Sequence, residues 1–181
     1  MQIDTVRKML CIPREQDSWE FIRDNSSDFL WDENGEALSR WNETSAKIYC
    51  LGEVSTVWGD DDSLLLKQNQ KFVPVPLEKD SLDDFRMIHS LATLVGAESE
   101  IRYCTDSWHS SCRAFVALPP KDWEHLETEF GCDLVTYRFL PISAGLKDFF
   151  EEAFSDELQQ RSYNQKSIDP SPTKGPWWKF W

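Results

Sequence analysis

The stretch that most restricts the fold runs over residues 99–118. After Arg113 it reads Ala114-Phe115-Val116-Ala117-Leu118, apolar at every position. Successive side chains of a strand point to opposite faces, so this strand is apolar on both and belongs inside a sheet. The preceding run, Ile101-Arg102-Tyr103-Cys104-Thr105, places Ile101, Tyr103 and Thr105 on one face and Arg102 and Cys104 on the other. The polar residues Asp106 to Ser111 separate the two runs. The expectation is a hairpin in which Cys112, Ala114, Val116 and Leu118 share one face, with Arg113, Phe115 and Ala117 opposite.

Helix signals flank it. Ser81 precedes Asp84 by three residues in the manner of a capping box, and Leu82, Phe85, Ile88, Leu91, Ala92 and Val95 form an apolar stripe that Gly96 ends. His89 lies on that stripe as a core or boundary histidine. Pro119-Pro120 opens a second helix with Trp123, Leu126 and Phe130 inward and Gly131 at its C-terminal end. Leu134 to Leu140 reads as a strand, reached by a right-handed parallel crossover. Ser143 caps a last helix with Leu146, Phe149, Phe150, Ala153 and Phe154 inward.

In the first half, Ile3, Val6, Met9 and Leu10 have helical spacing, and Trp19, Phe21 and Ile22 mark a second helix after Pro13. Residues 28–45 read as a polar turn carrying Trp31 and Trp41. Asp32, Asn34 and Gly35 resemble part of a calcium loop, but that register puts Leu30 and Trp41 at ligand positions, where neither chelates. Residues 46–75 read as strands around Ile48, Cys50, Val54 and Val57. Leu64-Leu65-Leu66 and Phe72-Val73 form a hairpin about Gln68-Asn69-Gln70, and Pro74 and Pro76 place its last strand at an edge or end it. The run Asp60-Asp61-Asp62 reads as a solvated turn rather than a cation site. The expected class is α+β: a mixed β-sheet with N-terminal helices and a β-meander, then a helix–hairpin–helix–strand–helix unit. Residues 1–161 form one domain, 162–175 a polar Pro/Ser linker and 176–181 an aromatic tail.

A formal net charge of -13 argues against nucleic acid, whose phosphates require a basic surface, and favours a basic protein partner. Nine tryptophans suit both a core and a recognition surface. Five scattered cysteines read as free thiols. With no leader and no apolar run long enough to span a bilayer, they point to the cytoplasm.

The polar turn of the central hairpin concentrates reactive side chains. Asp106, His109 and Cys112, with Ser110 beside them, are the candidate catalytic residues. Cys104, His109, Cys112 and Cys132 are the candidate zinc ligands. Neither set has a recognised spacing: there is no Gly-x-Ser-x-Gly elbow and no second tight Cys/His pair. Turn chemistry accounts for the aspartate and serines, and Trp108 and His109 at the tip make a recognition surface. No cofactor is expected. Trp177, Trp178, Phe180 and Trp181 close the chain. They are costly to leave in water and have three destinations: a groove on their own domain, a partner or second copy in a homodimer, or a membrane interface.

The leading expectation is a non-enzymatic, acidic protein-binding domain, of which an immunity protein neutralising a basic toxin is one concrete form. The alternatives are a hydrolase or zinc enzyme centred on residues 104–112, and an assembly or peripheral factor docking through the tail.

Overall fold

In a computed structural model of the protein, the described residues are 2–12, 16–32, 36–78, 83–107 and 113–142. The cap at Ser81, the helix expected after Ser143, the linker and the aromatic tail lie outside them. Helices α1 (Gln2–Cys11) and α2 (Gln16–Asp24) lead through a 3-10 turn (Ser26–Asp28) to strand β1 (Leu30–Asp32). Helices α3 (Ala37–Glu43) and α4 (Ser45–Ile48) precede a meander of β2 (Ser55–Trp58), β3 (Leu64–Gln68) and β4 (Lys71–Val75). Then come α5 (Asp83–Val95), β5 (Glu100–Cys104), a 3-10 turn (Thr105–Ser107) and β6 (Arg113–Leu118). Helices α6 (Pro120–Phe130) and α7 (Cys132–Arg138) and strand β7 (Phe139–Pro141) follow. The fold is α+β, as the sequence implies.

Strand β6 lies inside a four-stranded sheet of order β1-β6-β5-β7, pairing Tyr103 with Phe115 and Ile101 with Ala117. The sheet is covered on both faces because its side chains alternate into two cores. Ile101, Tyr103, Phe115, Ala117 and Leu140 pack with Phe85, Ile88, Leu91, Leu94 and Val95 of α5, Trp41 of α3, and Leu64, Leu66 and Val75 of the meander. The alternate residues Cys104, Ala114, Val116, Leu118 and Phe139 pack with Val6, Met9 and Leu10 of α1 and Trp123 and Leu126 of α6. Phe85 meets Tyr103 and Phe115 edge-on, with ring centroids 6.2 and 5.8 Å away. Burial of Arg102 on the second face is offset by Glu100 and Glu127, each 2.7 Å away, and by stacking on Trp123 at 4.4 Å.

All pairings between described strands are antiparallel, so two antiparallel sheets replace the single mixed one expected. The parallel crossover was misread at Leu134-Val135-Thr136-Tyr137. These β-favouring residues lie in α7, where Val135 and Arg138 are buried one turn apart, and β7 begins only at Phe139. Packing of one helical face here overrides propensity. The polar turn expected over 28–45 contains β1 and α3, with Trp41 fully buried in α3. Ile48 ends α4 instead of opening a strand.

Gly131, between α6 and α7, has φ +90°, a backbone that disfavours other residues, and its N–H bonds the Glu127 carbonyl at 2.9 Å. Pro74 stands on β4, at the edge of the order β2-β3-β4, as expected.

The meander register makes Leu66 a core residue, while Leu65 faces outward and is only half-buried. Leu66→Ala is expected to cost about 2–5 kcal/mol in urea denaturation, as for a buried leucine. Leu65→Ala is expected to cost less than about 1 kcal/mol. Equal losses would refute the register.

Candidate functional site

Where the sequence concentrates reactive groups, the described side chains are committed to structure. The Asp106 carboxylate and the Arg138 guanidinium form an ion pair, with side-chain exposures of 2% and 3%. Arg138 also donates to the carbonyls of Met9 at 2.7 Å and Ile12 at 2.6 Å and to the Ser18 hydroxyl at 3.0 Å. It thereby ties α7 to the end of α1, to α2 and to the hairpin. Thr105 donates to the Tyr137 carbonyl at 2.8 Å. The Ser107 hydroxyl donates to the Cys104 carbonyl at 2.7 Å and accepts from the Ala114 N–H at 3.0 Å, closing the hairpin below its tip.

Cys104 is fully buried beside Met9, and burial pushes its thiol far above the ordinary range, with the Asp106 charge adding to the shift. A thiol so held is neither a nucleophile nor an accessible zinc ligand. Cys132 is exposed at the start of α7, with its sulfur 3.8 Å from the Thr136 hydroxyl, and does not join Cys104. Trp108, His109, Ser110 and Cys112 lie outside the described residues, as do Trp177, Trp178, Phe180 and Trp181. Among the described residues, no three His, Cys, Asp or Glu side chains group as metal ligands, and no helix is long and apolar enough to cross a membrane. His89 is half-buried and lines a cleft of about 200 Å³ whose other polar side chains are Thr93, Ser99 and Glu100.

Among the described residues, three of the five exposed large hydrophobics, Val57, Trp58 and Phe72, lie on the meander. Its inner face carries Leu64, Leu66 and Val75 into the core. Across the outer face, Val57, Leu65 and Pro74 stand side by side, next to the row Ser55, Lys67 and Phe72. Phe72 is 53% exposed and Val57 36%. All four residues of β2 are exposed, and Trp58, 66% exposed, stands opposite Leu64 and so lies on the other face of this edge strand. The outer-face row of Val57, Leu65 and Pro74 is contiguous, unlike singly scattered exposed residues.

Both ends of β2 are fixed. The Asn42 side chain donates to the Val54 carbonyl at 2.7 Å and accepts the Val54 N–H at 2.8 Å, as a neighbouring strand would. At the other end, the Asp61 carboxylate accepts from the Ser63 hydroxyl at 2.6 Å and the Ser63 N–H at 3.2 Å. A Cβ on Gly59 would lie 2.7 Å from the Ser63 oxygen, so only glycine fits this turn without a shift. The hydrogen bonds to Ser63 hold the Asp61 pKa below its usual value. Glu53 before β2, and Asp60, Asp61 and Asp62 after it, are exposed.

The hairpin and the acidic turn are expected from the sequence, and this face is not. Its signal was present in Leu64-Leu65-Leu66: three apolar residues in a row place one on the side opposite the core. In comparisons with protein-family models, curated proteins and solved structures, the chain matches none.

Two outcomes follow from these contacts. Asp106→Ala leaves the Arg138 charge buried without its carboxylate and is expected to cost about 3–5 kcal/mol in chemical denaturation, whereas an exposed catalytic aspartate would cost little. Asp61 is expected to titrate below the unperturbed aspartate value of about 3.9, with Ser63→Ala raising its midpoint, as read from its carboxyl carbon by NMR. A lowered folded-state pKa means that the carboxylate's contribution to the turn is complete above the unfolded value. It is lost as pH falls through the lower one. An unchanged midpoint in Ser63→Ala would remove the hydroxyl bond as the leading cause.

Proposed function

We propose that this chain is a non-enzymatic, acidic protein-binding domain that holds a basic partner on its meander. The observation that carries this reading is the juxtaposition of exposed Val57, Trp58 and Phe72 with the acidic residues at both ends of β2. Apolar and aromatic groups supply contact area, and tryptophan is enriched among residues that dominate binding energy. The acidic surround steers a basic protein and disfavours an acidic one, in keeping with the net charge of -13. An immunity protein that neutralises a basic toxin is one concrete form of this reading. The catalytic and zinc alternatives lose support because Asp106 and Cys104 are engaged in the core.

The test is capture of partners from native-host lysate by full-length protein, the Trp58→Ser/Phe72→Ser double variant, and a chain with Trp177, Trp178, Phe180 and Trp181 replaced by serine. The expected result is a basic protein retained by the wild type and the tail variant, released by 0.5 M salt, and reduced at least tenfold with the double variant. Retention by the double variant and loss with the tail variant would transfer binding to the tail. Capture insensitive to salt and to both sets of substitutions would overturn the reading.

A further inference from the structure

The outer edge of β2 offers a more specific mode of recognition. Across the turn, the Gly59 N–H bonds the Ser63 carbonyl at 2.8 Å. Main-chain direction alternates along an antiparallel pair, so this bond fixes which residues of β2 face β3. Ser55 and Val57 turn their main-chain groups toward Lys67 and Leu65, and Thr56 and Trp58 turn theirs outward. Among the described residues, no strand pairs with that outer edge.

The opposite edge is closed. On β4, Pro74 has no N–H, its carbonyl accepts from the Ser90 hydroxyl at 2.9 Å, and α5 packs beside it. Proteins guard open edges with lysine, proline or a bulge. Strand β2 is Ser55-Thr56-Val57-Trp58, uncharged, without proline, and paired to β3 residue for residue.

Charge selects the occupant. In an antiparallel pairing with a second copy, Glu53 would approach the other copy's Asp60 and Asp62, and in a parallel pairing each acidic end would meet its own kind. The meander's cations do not offset this. Lys67 sits 5.6 Å over the Phe72 ring, on the β4 side, and Lys71 pairs with Glu98 at 3.3 Å. The edge therefore repels its own copy and attracts a basic strand, within about 8 Å of screening length at physiological salt.

We infer that β2 receives an extended basic segment of the partner as a fourth strand of the meander, an assignment that rests on the protein-binding reading above. Main-chain bonds go to Thr56 and Trp58. Side chains on one face of the added strand meet Val57, those on the other meet Trp58, and lysines or arginines at its ends meet Glu53 and Asp60 to Asp62.

The test uses full-length protein with an octapeptide of alternating lysine and valine, and its glutamate–valine counterpart as control. Affinity is read by fluorescence anisotropy and strand addition by amide hydrogen exchange. The expected result is binding of the lysine peptide alone, with exchange at Thr56 and Trp58 slowed at least tenfold and affinity reduced at least tenfold by Thr56→Pro. A second variant separates lost pairing from ladder strain: Thr56→Lys, which keeps the N–H and adds an opposing charge, is expected to weaken binding similarly. Binding with unchanged exchange at Thr56 and Trp58 overturns edge pairing, while loss of that binding in Trp58→Ser/Phe72→Ser leaves the protein-binding reading standing. Equal binding of the glutamate peptide overturns the basic class. Failure of the lysine peptide to bind overturns the strand-addition inference, and the capture experiment then judges the broader reading separately. Self-association that slows the same two amides without peptide assigns the edge to a second copy and overturns the inference.

Discussion

Burial of β6 on both faces is the constraint from which the architecture follows. A strand of Ala114-Phe115-Val116-Ala117-Leu118 has no side for water, so each face of its sheet requires a cover. One cover is α5 with α3 and the inner face of the meander; the other is α1 with α6. The division follows residue by residue, Phe115 and Ala117 to one core and Ala114, Val116 and Leu118 to the other. A shift of one residue in pairing would exchange every one of these side chains between cores of different shape, so the register is strongly specified.

A second layer of order is polar. Arg138 lies far from α1 and α2 in sequence, yet its guanidinium bonds the end of one, a serine of the other and Asp106 beneath the hairpin tip. A buried ion pair of this kind is weak evidence for net stability, because desolvation offsets much of the attraction. What it ties down is position: α7 in its observed place gives the buried guanidinium a carboxylate and three further acceptors. Displacing α7 would strand the charge.

This explains which parts of the fold were legible. The hairpin, α5 and α6 carry their instructions locally, as alternation at Ile101 to Leu118 and as helical spacing at Phe85, Ile88 and Leu91 or Trp123 and Leu126. Strand β1 is three residues long, too short for a period to emerge, and exists because it pairs with Arg113 to Phe115. Helix α7 was hidden because Leu134 to Tyr137 favour strands in isolation while the deciding contacts of Arg138 are distant in sequence. The inward commitment of the reactive groups beside the hairpin was hidden for a related reason. Asp106, Cys104 and Ser107 form a dense reactive set in one dimension, but in three dimensions their groups face inward onto Arg138, Met9 and the strand backbones. The outer meander face has no motif, because exposure of Val57 and Phe72 depends on which side of β3 the core occupies.

That exposure connects the fold to function. With the four-stranded sheet covered on both faces, the meander is needed on one side only, by α5. Its other side and the edge at β2 are left to water. Leaving Val57, Trp58 and Phe72 there contributes nothing to folding, and an undefended edge is an aggregation hazard. The flanking Glu53 and Asp60 to Asp62 reduce that hazard, since two copies of the edge approach with like charge at both ends. The same charges that oppose self-pairing would attract the basic strand proposed above, so one arrangement of residues would serve both ends.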